Sequence, residues 1–360
     1  MKNPAAEEKF CASRFFILVL SFFLFFILHS SFFIVAKAQV AGLNTLSLLD
    51  RGSSARTAGL GFDYLPLYGG DISIALDNPS QITGTLHNQA ALSYINMFRG
   101  GNMGSLAYCR TFNNLGTFVF GFHFNSYGRF EEYDEEDNYL GDFYAADYAL
   151  SIGWGMWLDS NFSIGANFKP VLSQYESYTA LAVAFDLAGS YTSNDRRFSS
   201  TLMARNIGAQ ILTFDETVES LPFELSASLS YKLKNAPFRI FFAATELQRW
   251  NLRYNDELNP TSHTDPFTGE VTEESWFKGT IDNLMRHTLF GIELNLGTAI
   301  FARVGYSYRQ AVETVGADAF NMSGFSFGIG LKGKRYEFSY ARSNYHLMQA
   351  PNYFTLSYKF

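Results

Sequence analysis

The chain has 360 residues with 27 basic and 34 acidic side chains, and its formal net charge of −7 argues against a nucleic-acid partner. Aromatic residues make up 17% of it while mean hydropathy is only −0.04, so it is rich in rings without being apolar on average. Its two cysteines, Cys11 and Cys109, exclude a disulfide scaffold.

Residues 1–38 read as an export signal. Lys2, Lys9 and Arg14 precede an apolar run from Phe15 to Val35, and Ala36-Lys37-Ala38 has the small-x-small form of a cleavage site. The run is long enough for a retained anchor, but His29-Ser30-Ser31 interrupts it, which favours removal. Cys11 lies before the apolar core and is therefore not a lipid-modified first residue. Removal takes away four bases and two acids, leaving 23 against 32 and a charge of −9, and it leaves all 21 tyrosines in place. After residue 38 no stretch approaches the roughly 20 apolar residues of a spanning helix.

Residues 39–87 are Gly-rich and polar, with one short alternation at Ile72, Ile74 and Leu76. Asn78-Pro79-Ser80 fits a chain reversal. It resembles the Asn-Pro-small turn in the N-terminal hatch of the long-chain fatty-acid transporter family. A flexible tail and a plug are both open to this segment. A plug is favoured, because a barrel of the size read below has a lumen too wide for its own side chains to fill.

Residues 88–360 read as repeated strands of alternating polarity. Phe118, Phe120, Phe122 and Phe124 face one way, and Thr117, Val119, Gly121, His123 and Asn125 face the other. The same dyad period recurs at 147–156, 162–169, 181–188, 223–231, 290–296, 300–308, 325–331 and 336–340, with weaker candidates at 89–98, 104–112, 197–206 and 238–248. With the last strand the count is about 14. The expected fold is all-β: a transmembrane antiparallel barrel in the outer membrane, with its apolar face toward lipid. Every second connection from 113–116 onward is a tight turn. The others are mostly longer: 128–143, 207–221, 249–285, 310–320 and 344–351. Short periplasmic turns alternating with longer outer loops are expected of such barrels. A soluble sandwich would face its aromatics inward instead.

Phe354, Leu356, Tyr358 and Phe360 alternate with polar residues to the end of the sequence. This pattern resembles the signal read by the outer-membrane barrel assembly machinery. The last strand is expected to pair with the first, because an open edge cannot lie in hydrocarbon.

Four outer loops carry the candidate partner-binding residues. Phe130, Tyr133 and Tyr139 lie in an acidic loop whose spacing does not match a calcium-binding EF-hand. Phe214 lies in the second loop, and Phe267, Trp276 and Phe277 in the third, where "ESWFKGTIDNLMRH" suggests a short helix. Tyr345 lies in the last loop. Aromatics interleaved with charge suit a protein interface. His123, Lys169, Glu224, His287, Glu293, Arg303 and Arg309 are expected to face the lumen as a structural polar network. No G-x-S-x-G, H-E-x-x-H, C-x-x-C or phosphate-loop pattern occurs, so neither catalysis nor a cofactor or metal is expected.

Seven stretches carry a resemblance over most of residues 42–296. They are "GLNTLSLLDRGSSARTAGLG" at 42–61, "DISIALDNPS" at 71–80, "HNQAALSYINMF" at 87–98, "GSLAYCRTFNNLGTFVFGFHFNSYGRF" at 104–130, "GDFYAADYALSIGW" at 141–154, "NAPFRIFFAATELQRWNLRY" at 235–254 and "DNLMRHTLFGIELNL" at 282–296. Together they resemble the PorQ family, outer-membrane components of the type IX secretion system related to fatty-acid-transporter-like barrels. The resemblance implies a non-enzymatic anchor for a PorZ-like surface protein and, through it, for the sortase complex that attaches cargo. The competing expectation is an outer-membrane transporter for hydrophobic solutes. A barrel lipase or protease is a distant third.

Overall fold

A computed structural model describes residues 46–61, 67, 70–97, 100–113, 115–215, 218–253, 262–264, 271–273, 275–313, 322–343 and 350–360. The expected leader, Phe267 and Tyr345 lie outside the described residues.

Fourteen antiparallel strands close into a barrel. They are β1 (Gln89–Asn96), β2 (Asn102–Phe112), β3 (Gly116–Tyr133), β4 (Tyr139–Trp157), β5 (Phe162–Tyr175), β6 (Tyr178–Thr192), β7 (Phe198–Leu212), β8 (Glu224–Lys232), β9 (Phe238–Ala244), β12 (Thr288–Leu296), β13 (Ile300–Ser307), β14 (Phe325–Lys332), β15 (Tyr336–Ser343) and β16 (Asn352–Lys359). A small separate sheet, β10 (Ser262–Thr264) with β11 (Val271–Glu273), lies in the connection from β9 to β12. Closure is by β1 on β16, from Gln89 opposite Lys359 to Asn96 opposite Asn352. No edge is left to meet lipid.

Burial is inverted relative to a soluble protein. Phe120 is 49% exposed and Leu150 is 55% exposed, whereas Asp147, Glu293 and Arg303 are at most 1% exposed. Alternation on a strand puts the rings on the lipid side and the small and polar residues inside. The chain is an outer-membrane β-barrel. Its turns at 113–115, 158–161, 193–197, 233–237, 297–299 and 333–335 are short and mark the periplasmic end.

Two boundaries differ from the sequence expectation. The loop at 128–143 is largely strand: β3 runs to Tyr133 and β4 begins at Tyr139, with only Asp134–Asn138 between them. Phe130, Tyr133 and Tyr139 are therefore strand residues. Above the membrane both faces of a strand meet water, so acids replace the alternation that betrays a strand in lipid. A bulge at Ser126/Gly128 marks the change, and Gly128 there has φ 95°. The loop at 207–221 is likewise shortened, because β7 continues to Leu212.

The described residues before β1 lie against the inward faces of the strands. They form short turns rather than a strand. Ser54 caps α1 (Ala55–Ala58), Asp71 caps α2 (Ile72–Ala75), and Asn78 caps a 3-10 turn at Pro79–Gln81. The alternation at Ile72, Ile74 and Leu76 is thus part of a helical turn. The segment is surrounded on all sides, so all three are buried and a period of two has no meaning there. Ile72, Leu76, Ile82 and Leu86 pack on Ala91, Ala107, Cys109 and Val119. Leu60, Leu67 and Ile74 pack on Phe241 and Ala243. Each such side chain contributes about 1.5–3 kcal/mol.

Candidate functional site

The segment from Leu46 to Asn88 crosses the lumen as a strap held at both ends. On one side Arg56 forms a two-pronged pair with Glu293 of β12, Nε to Oε2 at 3.1 Å and Nη2 to Oε1 at 3.0 Å. Arg303 of β13 donates its Nε to the same carboxylate at 2.8 Å, and its Nη1 to the Ser339 hydroxyl of β15 at 3.1 Å. Asp71 holds Arg56 from within the strap at 3.3 Å. The Ala55 backbone N–H donates to Thr355 Oγ1 of β16 at 2.9 Å. Two cations share one buried carboxylate here, so the three charges depend on one another.

Elsewhere the strap is held by hydrogen bonds to its backbone and hydroxyls and by close backbone contact. Ser80 Oγ meets Ser190 Oγ of β6 at 2.5 Å, and Asn167 Nδ2 of β5 donates to the Leu76 carbonyl at 2.7 Å. Arg205 and Asn206 of β7 both donate to the Leu49 carbonyl at 3.2 Å. Gly165 of β5 permits the approach: a Cβ there would stand 2.0 Å from the Pro79 carbonyl oxygen. Gly305 of β13 does the same beneath Leu60, where a Cβ would lie 2.0 Å from its carbonyl carbon. Asn78, Pro79 and Ser80 are all buried at this contact.

Of the lumen candidates, Glu293, Arg303, Lys169 and Glu224 do face inward. Lys169 pairs with Asp186 at 2.7 Å, and Glu224 with Arg205 at 3.4 Å. His123 lines a small cavity beside Lys169 and Asp186. His287 and Arg309 depart from the expectation, since both serve the outer rim. The two ring nitrogens of His287 lie 2.7 Å from the Thr245 carbonyl and 3.0 Å from that of Trp250, and Arg309 reaches Glu246 at 3.5 Å. The sequence reading missed Arg56, whose partner is 237 residues away, and the inward glycines. The one available signal was the run of small residues on the polar faces of β4, β5 and β13.

The outer candidates fall into two groups on different sides of the barrel. Phe130 stacks on Phe143 at 5.2 Å and Tyr133 meets Tyr139 edge-on at 5.9 Å, both across the β3–β4 hairpin. Phe214 stacks on Tyr175 at 4.8 Å. These rings hold hairpins together. Trp276 and Phe277 differ: they open α3 (Trp276–Arg286) and are 81% and 65% exposed. The C-terminal half of α3 is pinned. Asn283 accepts from the Leu252 N–H at 2.8 Å and donates to the Trp250 carbonyl at 2.5 Å. Asp282 binds Arg286 at 2.9 Å, Arg253 at 3.0 Å and the hydroxyl of Tyr308 at 2.8 Å, the last from α4 (Tyr308–Glu313). Burial alone would raise the Asp282 carboxyl, but the bonds from Arg286 and Tyr308 outweigh it and hold it below the usual carboxylate range. Burial first, then Asp282, pushes the Tyr308 phenol up to about 12.

Phe354, Leu356 and Tyr358 lie on β16, opposite Tyr94, Leu92 and Ala90 across the closing seam. Phe360 follows the strand and meets Tyr358 edge-on at 4.8 Å, and its N–H donates to the Asn88 carbonyl at 3.0 Å. Among the described residues no three His, Cys, Asp or Glu side chains converge as a metal set.

No protein-family model matches this sequence, and no curated protein matches it. Solved structures do match. The toluene transporter TodX of P. putida aligns with TM-score 0.51 at 11% identity, covering 87% of this chain and 99% of that one. A TodX monoaromatic hydrocarbon channel lacking S2 and S3 aligns with TM-score 0.52 at 11% identity over 86% and 99%. The CymD monoaromatic hydrocarbon channel aligns with TM-score 0.50 at 11% identity over 88% and 99%. At such identity the likeness is one of fold, and that fold is an outer-membrane barrel.

Proposed function

We propose that this chain is a non-catalytic surface anchor: an outer-membrane barrel, plugged by its N-terminal segment, that holds a soluble protein on the cell exterior. The resemblance to the PorQ family supplies the finer reading, with a PorZ-like partner and, through it, the sortase complex of type IX secretion. The carrying observation is the pair Trp276 and Phe277, exposed to solvent at the N-terminal end of a helix whose C-terminal half is tied down through Asn283 and Asp282. Aromatic rings have only two side-chain torsions to order on binding, and here the backbone that carries them is already held, which suits them to be anchors of an interface. Deleting the gene should release a large surface protein into the medium, and Trp276→Ala with Phe277→Ala should do so while barrel abundance is unchanged. Retention of every surface protein in both strains would refute the anchor.

The comparisons favour a second reading, a channel for hydrophobic solutes, because TodX is a toluene transporter and CymD a monoaromatic hydrocarbon channel. The interior of this chain speaks against it. The larger cavity described is about 130 Å³ and is lined mostly by charged and polar residues. Toluene uptake into liposomes carrying the purified barrel, above that of empty liposomes, would establish the channel.

A further inference from the structure

The larger cavity lies at the periplasmic end of the barrel, between the strap and the wall. Its charged lining is Arg56, Asp71, Lys232, Arg239, Glu293 and Lys332, four cations against two carboxylates. Both carboxylates are engaged, Glu293 by Arg56 and Arg303, and Asp71 by Arg56. Lys332 is paired with Glu337 at 3.0 Å. Arg239 is left over. It is 8% exposed, its Nη1 donates to the Ser230 hydroxyl at 3.2 Å, and among the described residues no carboxylate lies within ion-pair distance of it. Lys232 stands directly opposite it in the β8–β9 register, and Glu293, already bonded by Arg56 and Arg303, stands opposite it in the β9–β12 register. Nearby, Nη2 of the buried Arg303 has no hydrogen-bond partner among the described residues.

A guanidinium does not shed its proton, so a buried one whose nearest carboxylate is already bonded by two other arginines is relieved by a further anion. A planar fork flanked by ammonium groups matches the oxygens of a carboxylate or phosphate. Lys232 and Lys332 are the last residues of β8 and β14, so the cationic side opens toward the short turns and the periplasm. We propose that this cavity binds a small oxyanion group, a phosphate or carboxylate, with Arg239 as its principal ligand and Lys232 and Lys332 at its mouth. The volume admits one such group and not a chain. A free anion and the headgroup of an inner-leaflet phospholipid present the same chemistry.

The test is calorimetric titration of the full-length barrel in neutral detergent with inorganic phosphate at constant ionic strength. Saturable binding is expected, weakened at least tenfold by Arg239→Gln and several-fold by Lys232→Gln. In phosphate-free buffer Arg239→Gln should melt no lower than the parent protein, because it removes one of three buried arginines that crowd the single carboxylate of Glu293. Absence of saturable binding, or equal affinity in the parent and Arg239→Gln, overturns the proposal. If Arg239→Gln does not fold, the double variant Lys232→Gln with Lys332→Gln replaces it, and an unchanged affinity there is equally fatal. Repeating the titration in discs of phosphatidylethanolamine with or without phosphatidylglycerol separates the sources. Loss of the phosphate response with phosphatidylglycerol assigns the cavity to a headgroup, and an unchanged response assigns it to a soluble anion.

Discussion

Strands β3 to β7 run for 14 to 19 residues, whereas β8, β9 and β12 to β16 run for 7 to 9. Crossing the hydrocarbon takes about 9–11 residues, so the first wall projects well beyond the membrane and the second barely spans it. The tall wall builds outward by extending a hydrogen-bonded ladder, in which each added residue has its backbone groups satisfied by a neighbour. The low wall carries its outer structure as a long connection from β9 to β12, in which the backbone groups of Thr245, Trp250 and Leu252 are met by the side chains of Asn283 and His287. The contrast continues inside. The low wall adds to its close contact at Gly305 an ion cluster, in which Glu293 binds Arg56 of the strap, whereas the tall wall holds the strap through hydrogen bonds to its carbonyls and hydroxyls and bare backbone at Gly165. The same strap is thus secured by two mechanisms that fail under different changes.

Removing the shared carboxylate is the most severe way to break the low-wall grip. Glu293→Gln leaves the buried Arg303 with no carboxylate partner among the described residues and Arg56 with only Asp71 and the more distant Glu337, at a cost of about 3–5 kcal/mol. Limited proteolysis in detergent should then cut near Arg56 while the contact around Ser80 stays protected. Equal protection of both ends would mean that the charges contribute little. The tall-wall counterpart is Gly165→Val. Its Cβ meets the Pro79 carbonyl oxygen, which is backbone and cannot swing away, so the cost is about 1–3 kcal/mol. The expected cleavage pattern is the reverse, with exposure around Asn78–Ser80 and protection at Arg56. If both variants open the whole strap together, the two grips form one cooperative unit and the comparison of walls does not extend to the lumen.

The barrel itself was legible because lipid enforces the signal: Phe118 to Phe124, or Leu150 to Met156, must alternate where one side of the strand meets acyl chains. Where lipid ends, so does legibility. Glu131, Glu132 and Asp142 continue the β3–β4 ladder in water, and nothing in their polarity separates a strand from a solvated loop. The strap was legible as a segment but not in its contacts. Its turns are four residues or fewer, too short for a period, and Arg56 reads as an ordinary surface cation until the fold places Glu293 beside it. The glycines at 165 and 305 are intelligible only once the strap's backbone is known to lie on them. For the outer candidates, the sequence located the rings of α3 but could not tell Trp276, which is free, from Phe130, which is spent on Phe143.

The mildest test separates the two walls by pH. In α3 the carboxyl of Asp282 is held below its ordinary range by Arg286 and Tyr308 against the opposing effect of burial. A depressed carboxylate contributes stability that is fully present above its unfolded pKa, about 3.9, and is lost as pH falls through the folded value. Protection of the 250–253 amides from hydrogen exchange should therefore be flat from neutral pH down to about 4 and fall below that. Asp282→Asn should start from a lower level of protection and lose this acid dependence. On the tall wall Asp134 is depressed by the Asn138 side chain, but it governs only the exposed turn at the hairpin tip. The ladder beneath it, from Phe130 opposite Phe143 to Thr117 opposite Gly155, includes the buried Asp147, but that carboxylate accepts from the hydroxyls of Tyr127 and Ser173 rather than from arginines, so the ladder's exchange should respond less than that of 250–253 over the same range. Equal acid sensitivity in the two walls would show that the height of β3 and β4 depends on their acids rather than on the backbone ladder and the ring pairs.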